Sequence, residues 1–193
     1  MQELCEKKLV FSFPDNLPAS KYDDWLFYRS GFVSKDDGKK AVDFIVLDKQ
    51  ITWLIEVKDY RVYPRTKLID LGDEIALKMI ETLEGLREAI NNANDPKERE
   101  FANIVLRKKR NRVVLHLEQP KKRTRFRPRA IDPARVKRKL KQLLKSIDPH
   151  PLIVSHNNLH HEMKWSVRSK CNKDNDLCEK KKSVIFVNFN HCL

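Results

Sequence analysis

Two adjacent apolar runs, residues 41–47 (AVDFIVL) and 51–61 (ITWLIEVKDYR), constrain the fold of this chain most strongly. Both runs are rich in the β-branched and aromatic residues that favour strands. A tight turn at residues 49–50 joins them as an antiparallel hairpin. The register of that hairpin places Asp43 directly opposite Glu56, close enough for the two side chains to interact.

Alternation of side chains along the two strands divides the hairpin into two faces. Asp43, Glu56 and Lys58 emerge on one face. The other face is wholly apolar and comprises Val42, Phe44, Val46, Trp53, Ile55 and Val57. The face of the acids also carries Ile45, Leu47 and Leu54. Because this face is therefore partly buried, its carboxylates need a protein partner or a metal ion.

Two carboxylates and a lysine on neighbouring strands suit the chemistry of phosphodiester hydrolysis. Carboxylate oxygens are hard ligands that hold Mg²⁺ and leave room for water and phosphate oxygens. The lysine adds a fixed cation. The alternative is that Asp43, Glu56 and Lys58 are ordinary polar residues of a half-buried hairpin.

The pattern Asp43, Glu56-x-Lys58 on consecutive strands resembles the PD-(D/E)xK nuclease superfamily, with Val42 in place of the usual proline. This resemblance implies a restriction-endonuclease-like fold with an αβββαβ core. It also implies that Asp43, Glu56 and the backbone carbonyl of Val57 bind Mg²⁺ or Mn²⁺. In the same superfamily the lysine, here Lys58, orients or activates the attacking water.

The rest of the chain predicts an α/β protein with a mixed central sheet flanked by helices. Residues 1–168 are predicted to form a single domain. The predicted helices are 20–28, 67–90, about 95–106 and about 133–147, and the further strands are 32–34, 112–119 and 151–155. Residues 169–193 are predicted as a charged linker with a possible edge strand. In many members of the superfamily an acid on the first helix joins the metal site, a role open to Asp23 or Asp24, but the helix macrodipole explains both acids more simply. Some members also place a Gln or Lys of the long helix near the active site. Glu74 and Lys78 are the nearest equivalents here, but a solvated ion pair one turn apart explains them more simply.

Composition excludes several classes of protein. The apolar runs are broken every few residues by charge and the first residues contain no signal-peptide core, so we expect a cytoplasmic protein without membrane contact. The four cysteines do not match common zinc spacings and are expected to be free thiols. No Gly-rich phosphate loop and no DNA-recognition motif is present.

Positive charge is concentrated between residues 107 and 145, which hold seventeen Lys or Arg and only two acids. The balance of +15 exceeds the +13 of the whole chain. A charge run is usually a solvated basic face, but a local excess larger than the net charge of the whole chain, beside a phosphodiesterase pattern, favours a surface that binds polyanions. The residues predicted to bind nucleic acid are Lys121, Lys122, Arg123, Arg125, Arg127 and Arg129.

Together these features predict a Mg²⁺- or Mn²⁺-dependent nuclease that hydrolyses DNA without a sequence-recognition module. Its catalytic residues are Asp43, Glu56 and Lys58, and its metal ligands are Asp43, Glu56 and Val57. One alternative is a non-catalytic nucleic-acid-binding module of a larger defence, repair or mobile-element complex. The other is a junction-resolving nuclease that acts as a homodimer.

Overall fold

A computed structural model describes residues 1–32, 38–120 and 131–170 of the 193-residue chain. The eight strands are β1 (Gln2–Glu6), β2 (Leu9–Phe13), β3 (Ala19–Lys21), β4 (Phe44–Leu47), β5 (Ile51–Asp59), β6 (Arg110–Glu118), β7 (Leu152–Val154) and β8 (Ser166–Ser169). The α-helices are α1 (Leu71–Asn92), α2 (Pro96–Arg107) and α3 (Pro133–Leu143). The described part of the chain is therefore α/β, as predicted.

A mixed sheet of five strands, in the order β3-β4-β5-β6-β7, forms the centre. β3, β4 and β5 pair antiparallel, whereas β5, β6 and β7 pair parallel. The predicted hairpin is confirmed, because β4 and β5 pair with Phe44 opposite Ile55 and are joined by a tight turn closed between Asp48 and Ile51. Asp43 lies one residue before β4, in line with Glu56.

The central sheet separates two apolar cores. On one face Ile45 and Leu54 pack against helices α1, α2 and α3. On the other face Phe44, Trp53 and Ile55 pack against strand β2 and the segment around Trp165. The predicted faces of the hairpin are therefore confirmed except for Val42, which precedes β4 and lies in the core beneath the helices.

A second sheet, in the order β1-β2-β8, covers the face of the central sheet that carries no helix. This sheet was not predicted from the sequence. Its first two strands form a hairpin at Lys7, which adopts a left-handed φ of 55°. The predicted central sheet flanked by helices is therefore found with helices on one face, while the N-terminal hairpin and β8 cover the other.

The three predicted long helices are confirmed, with each N-terminus set by an aspartate. Asp70, Asp95 and Asp132 accept hydrogen bonds from the backbone of their helices' first turns. Pro96 and Pro133 then occupy the first helical turn of α2 and α3, where their missing N–H costs nothing.

The predicted helix over residues 20–28 is wrong. Ser20 belongs to β3, and its hydroxyl accepts a hydrogen bond from Trp25 Nε1 at 2.7 Å instead of capping a helix. A single 3-10 turn (Tyr22–Asp24) and a π-helical turn (Phe27–Phe32) follow. Of the strand predicted at residues 32–34, Phe32 ends the π-helical turn and the other two residues lie outside the described residues.

One cysteine, the length of the helices and the C-terminal segment bear on the remaining predictions. Cys5 is disulfide-bonded, so the expectation of free thiols is wrong for this residue. None of the described helices is both long and apolar enough to span a membrane. The edge strand predicted near the C-terminus lies outside the described residues.

Candidate functional site

The three residues singled out from the hairpin lie together at the interface between the central sheet and helix α1. Asp43 is 8% exposed, and its Oδ2 accepts a hydrogen bond of 2.6 Å from the backbone N–H of Val57. Glu56 lies on β5 and is 1% exposed. Lys58, two residues further along β5, places its Nζ 2.8 Å from Glu56 Oε1. The predicted shared face is therefore confirmed.

Lys78 of α1 is a fourth member of this cluster. Its Nζ lies 2.6 Å from Glu56 Oε1, the same oxygen that Lys58 contacts. Glu56 Oε2 is buried and has no hydrogen-bond partner among the described residues. One oxygen of a fully buried carboxylate is thus paired twice, while the other remains an acceptor that a ligand could use.

Glu74, one turn before Lys78 on α1, is surrounded by cations. Its carboxylate lies 3.0 Å from Lys58 Nζ, 2.7 Å from Arg65 and 2.8 Å from Lys67 Nζ. Burial raises the pKa of Glu74, but these cations and their hydrogen bonds outweigh it and lower the pKa to about 2. Burial lowers the pKa of Lys58, and the attraction of Glu56 and Glu74 more than reverses this effect.

The solvated Glu74–Lys78 ion pair predicted from their spacing is therefore wrong. Both side chains point into the protein, where Lys78 binds Glu56 and Glu74 binds Lys58. The reason is tertiary, since β5 packs beneath this face of α1 and offers each side chain a partner of opposite charge. Spacing along a helix indicates which residues share a face, but not what that face meets.

Acids from three separate elements meet beside Asp43. Glu6 at the end of β1, Asp23 of the 3-10 turn and Asp43 each offer a carboxylate oxygen, and these oxygens lie within 4.8 Å of one another. Glu56 is not a member of this group of three, and its Oε1 lies against Lys58 and Lys78. The group shares Asp43 with the metal set predicted from sequence and contains Glu6 and Asp23 as two further candidate ligands.

Crowding of these acids disfavours their ionised forms. Burial, followed by the negative charges of Glu56 and Glu6, raises the pKa of Asp43 well above its ordinary value. Burial is also the largest cause for Asp23, whose pKa rises to about 6 even though Lys21 opposes the shift. A bound cation stabilises the ionised form of carboxylates whose pKa is raised in this way.

From its sequence Asp23 was attributed to a helix macrodipole, and Glu6 was not predicted as a site residue. No long helix begins at Asp23, so that explanation is wrong. A signal for Glu6 was absent, because its strand β1 belongs to the sheet that the sequence did not predict. Asp24 instead forms an ion pair with Arg29.

Basic residues are displayed on helix α3 and in the turn after it. Val136 and Leu140 of α3 and Leu144 just after it are buried, whereas most other residues of this segment are exposed. Lys137, Arg138, Lys141 and Lys145 are exposed and form no ion pair within the described part of the chain. The six residues predicted to bind nucleic acid, Lys121 to Arg129, lie outside the described residues.

Comparison with known proteins shows one informative match. The chain is 31% identical over 162 residues to a cysteine–tRNA ligase of Neisseria meningitidis serogroup A / serotype 4A (strain DSM 15465 / Z2491). The alignment covers 68% of this chain and 23% of the ligase, so the chain spans about a quarter of the length of that relative. No family model and no solved structure matches the chain.

This match corrects the function predicted from sequence. A DNA nuclease, together with its alternatives of a defence or repair module and a junction-resolving nuclease, is overturned because the relative bears the name of a tRNA ligase, a different activity. The acids and lysine of the hairpin are assembled as predicted, but the inference from that assembly to DNA hydrolysis was wrong. Short acid and lysine patterns support more than one chemistry.

Proposed function

We propose that this chain is a tRNA-binding module related to part of a cysteine–tRNA ligase. The observation that carries the proposal is the 31% identity to such a ligase over most of the chain. Because the chain matches only 23% of the ligase's length, the proposal assigns it a role in binding the tRNA and not the complete ligation reaction.

Helix α3 supplies the surface for the RNA in this proposal. Lys137 and Lys141 lie four residues apart on α3, a step of about 6 Å along the helix, and Lys145 follows in the turn after it. No carboxylate among the described residues neutralises them. A row of uncompensated cations attracts a phosphate backbone without reading its sequence.

Neighbouring cations of the same helix behave differently. Lys139 lies 2.6 Å from Asp73 Oδ2, and Arg135 lies 3.5 Å from Asp70 Oδ2, both at the start of α1. These two residues therefore anchor α3 to α1. Structural and RNA-binding cations are thus separated on the helix, and variants can distinguish them.

The segment 121–129 immediately precedes α3 in sequence and contains six Lys or Arg. We propose that its cations contact the same RNA. The excess of +15 between residues 107 and 145 supports this assignment, because it joins the segment and the helix in one positively charged stretch.

The acid group of Glu6, Asp23 and Asp43 is proposed to hold Mg²⁺ or Mn²⁺. Three carboxylate oxygens form a suitable donor set for these hard ions, and the unpartnered Oε2 of buried Glu56 adds a fourth oxygen nearby. Such an ion would neutralise the crowded acids and offer coordination positions to a phosphate oxygen. Lys58 and Lys78 hold Glu56 in place whether or not the ion is bound.

We also propose that the fold contains a restriction-endonuclease-like core, without the nuclease activity. It is supported by the succession of β4, β5, α1 and β6 around the acids and lysine of the hairpin. Nothing in that proposal concerns the reaction.

The experiment that tests the proposed function measures binding of labelled tRNA to the full chain across a range of salt concentrations. Replacing Lys137, Arg138, Lys141 and Lys145 by glutamine is expected to weaken binding and to reduce the slope of log affinity against log salt. Each lost phosphate contact lowers that slope by roughly 0.7 to 0.9.

A matched control replaces four exposed cations outside α3, namely Lys8, Lys49, Arg87 and Lys109, by glutamine. This variant has the same net charge and should bind tRNA more tightly than the α3 variant. A chain that does not bind tRNA, or whose affinity for tRNA falls equally in both variants, would contradict the proposal.

A further inference from the structure

A cleft of about 500 Å³ lies at the carboxyl ends of β6 and β7, beside the end of β5. The carboxyl ends of parallel strands are where open α/β sheets commonly bind ligands. Its polar lining comprises Arg61, Glu118, Gln119, Ser155, His156, Asn157 and Asn158. None of these residues belongs to the acid group around Asp43, so the cleft is a second site.

Glu118 organises one wall of this cleft. His116 Nε2 lies 2.9 Å from Glu118 Oε1, and His156 Nδ1 lies 2.8 Å from Oε2. The backbone N–H of His156 also donates to Oε1 at 2.7 Å. Burial raises the pKa of Glu118, but these hydrogen bonds prevail and lower the pKa to about 2.

Both oxygens of the Glu118 carboxylate are thereby occupied. His156 is held through Nδ1, which leaves Nε2 as the ring nitrogen available to a ligand. The His156 side chain is 25% exposed, as expected of a residue that lines an opening. This arrangement orients the imidazole through Nδ1 and does not use Nε2.

The remaining polar groups of the lining are largely neutral. Arg61 is committed to Asp59, with Nε and Nη2 at 2.9 and 2.7 Å from its carboxylate oxygens. Asn157 and Asn158 are exposed, and each side-chain amide offers a donor and an acceptor. Apolar side chains of Leu117, Ile153 and Val154 complete the cleft. A neutral planar ligand with hydrogen-bonding edges suits such a lining better than a phosphate does.

The cleft adjoins the start of the basic helix. Pro133, the first residue of α3, lines it together with Gln119 and Pro120. The Gln119 side chain exchanges two hydrogen bonds with the backbone of Ile131, at 2.8 and 3.0 Å. An RNA backbone bound along α3 therefore runs close to the cleft.

We propose that the cleft binds one unpaired nucleobase of the RNA held on α3, with His156, Asn157 and Asn158 contacting the edge of the base. Proteins recognise RNA sequence mainly at unstacked bases, whose edges hydrogen-bond to side chains and whose faces stack on flat groups. Asparagine amides pair well with base edges. This inference rests on the proposed function, because α3 supplies the RNA.

The test compares three RNA hairpins with the same stem, using the full chain. One hairpin is blunt, one carries a short single-stranded 3′ extension, and one carries the same extension with abasic sugars in place of nucleosides. The normal extension is expected to improve affinity by about 5- to 100-fold over the abasic one, the range that a bound base typically contributes. The abasic extension isolates the base, because it retains the phosphates.

The double variant Asn157→Ala/Asn158→Ala should lose the gain from the extension while keeping the affinity for the blunt hairpin. Both side chains are exposed, so this variant is expected to fold. His156→Gln provides a second variant, with the thermal midpoint measured alongside binding.

The outcomes separate the two proposals. Equal affinity of the wild-type chain for normal and abasic extensions overturns the base-binding cleft and leaves the role of α3 standing. Failure to bind any of the three hairpins overturns both. A gain from the extension that persists unchanged in the Asn157 and Asn158 variant also overturns the assignment of the cleft.

Discussion

Lys78 of helix α1 lies 2.6 Å through its Nζ from Oε1 of Glu56 on strand β5 and so links the covering helix to the central sheet. Lys58 contacts the same oxygen from within β5. Two cations therefore compensate one carboxylate that is 1% exposed, and this compensation allows the acid to remain in the core.

Replacing Lys78 by methionine should destabilise the protein by roughly 1 to 3 kcal/mol, because it removes one partner of a buried charged group. Urea unfolding at neutral pH measures the effect. The double variant Lys78→Met/Glu56→Gln should recover part of the loss, since the acid no longer needs the cation. Arg87→Met, an exposed cation on the same helix, is the control and should change stability little. Equal effects of Lys78→Met and Arg87→Met would contradict the link.

Replacing Glu74 by glutamine should also destabilise the protein, in a manner that depends on pH. The pKa of Glu74 is lowered to about 2 in the folded protein, so its contribution is present above its ordinary pKa of 4.5 and is lost as pH falls toward 2. The difference in unfolding free energy between wild type and Glu74→Gln, roughly 3 kcal/mol at neutral pH, should shrink over that range. A difference independent of pH would show that packing and not charge is responsible.

The contribution of Asp23 to the free energy of unfolding should depend on pH in the opposite sense to that of Glu74. Its pKa is raised from 3.8 to about 6 in the folded protein, so protonated Asp23 favours folding and that contribution is lost as pH rises through about 6. Between pH 4 and 6 the ionisation of Asp23 lowers the free energy of unfolding. Asp23→Asn cannot ionise there and should therefore show a smaller decrease over that range. Thermal midpoints across that range test the sign, with Glu84→Gln as the control in an exposed acid. A steeper fall in Asp23→Asn would contradict the raised pKa.

Adding Mg²⁺ or Mn²⁺ should raise the thermal midpoint of the wild-type protein, because an ion that binds the folded state alone stabilises it. Asp43→Asn should abolish this response and, without the ion, should unfold at no lower temperature than wild type. The reason is that Asp43 has a raised pKa and its ionised form is disfavoured in the apo protein. Glu84→Gln should respond to the ions as wild type does. A persistent response in Asp43→Asn would remove this group as the ion's site.

Strand period and turn chemistry were sufficient to predict the β4–β5 hairpin. A register shift of one residue would have moved Glu56 and Lys58 into the apolar face with Trp53, and only the observed register avoids that cost. The helices α2 and α3 were predictable from the Asp-Pro pairs at their starts, Asp95 with Pro96 and Asp132 with Pro133. The apolar period of α1 also predicted that helix, but it placed the start at residue 67 and not after its cap Asp70. These signals depend on residues close in sequence.

Local signals failed where contacts between distant segments decide. Ser20 resembles a helix cap, but its hydroxyl serves Trp25 and the chain there pairs with β4. The sheet of β1, β2 and β8 joins strands from opposite ends of the described chain. A local sequence pattern cannot predict such a pairing.

By itself the sequence determined the hairpin, the shared face of Asp43, Glu56 and Lys58, and the concentration of positive charge before and along α3. Only the tertiary structure decided the partners of those residues. Glu6 reaches Asp43 because the second sheet places β1 there, and Lys78 reaches Glu56 because α1 packs on β5. Buried charges are paired by whatever the fold brings within a few ångströms, and sequence spacing does not specify that neighbourhood.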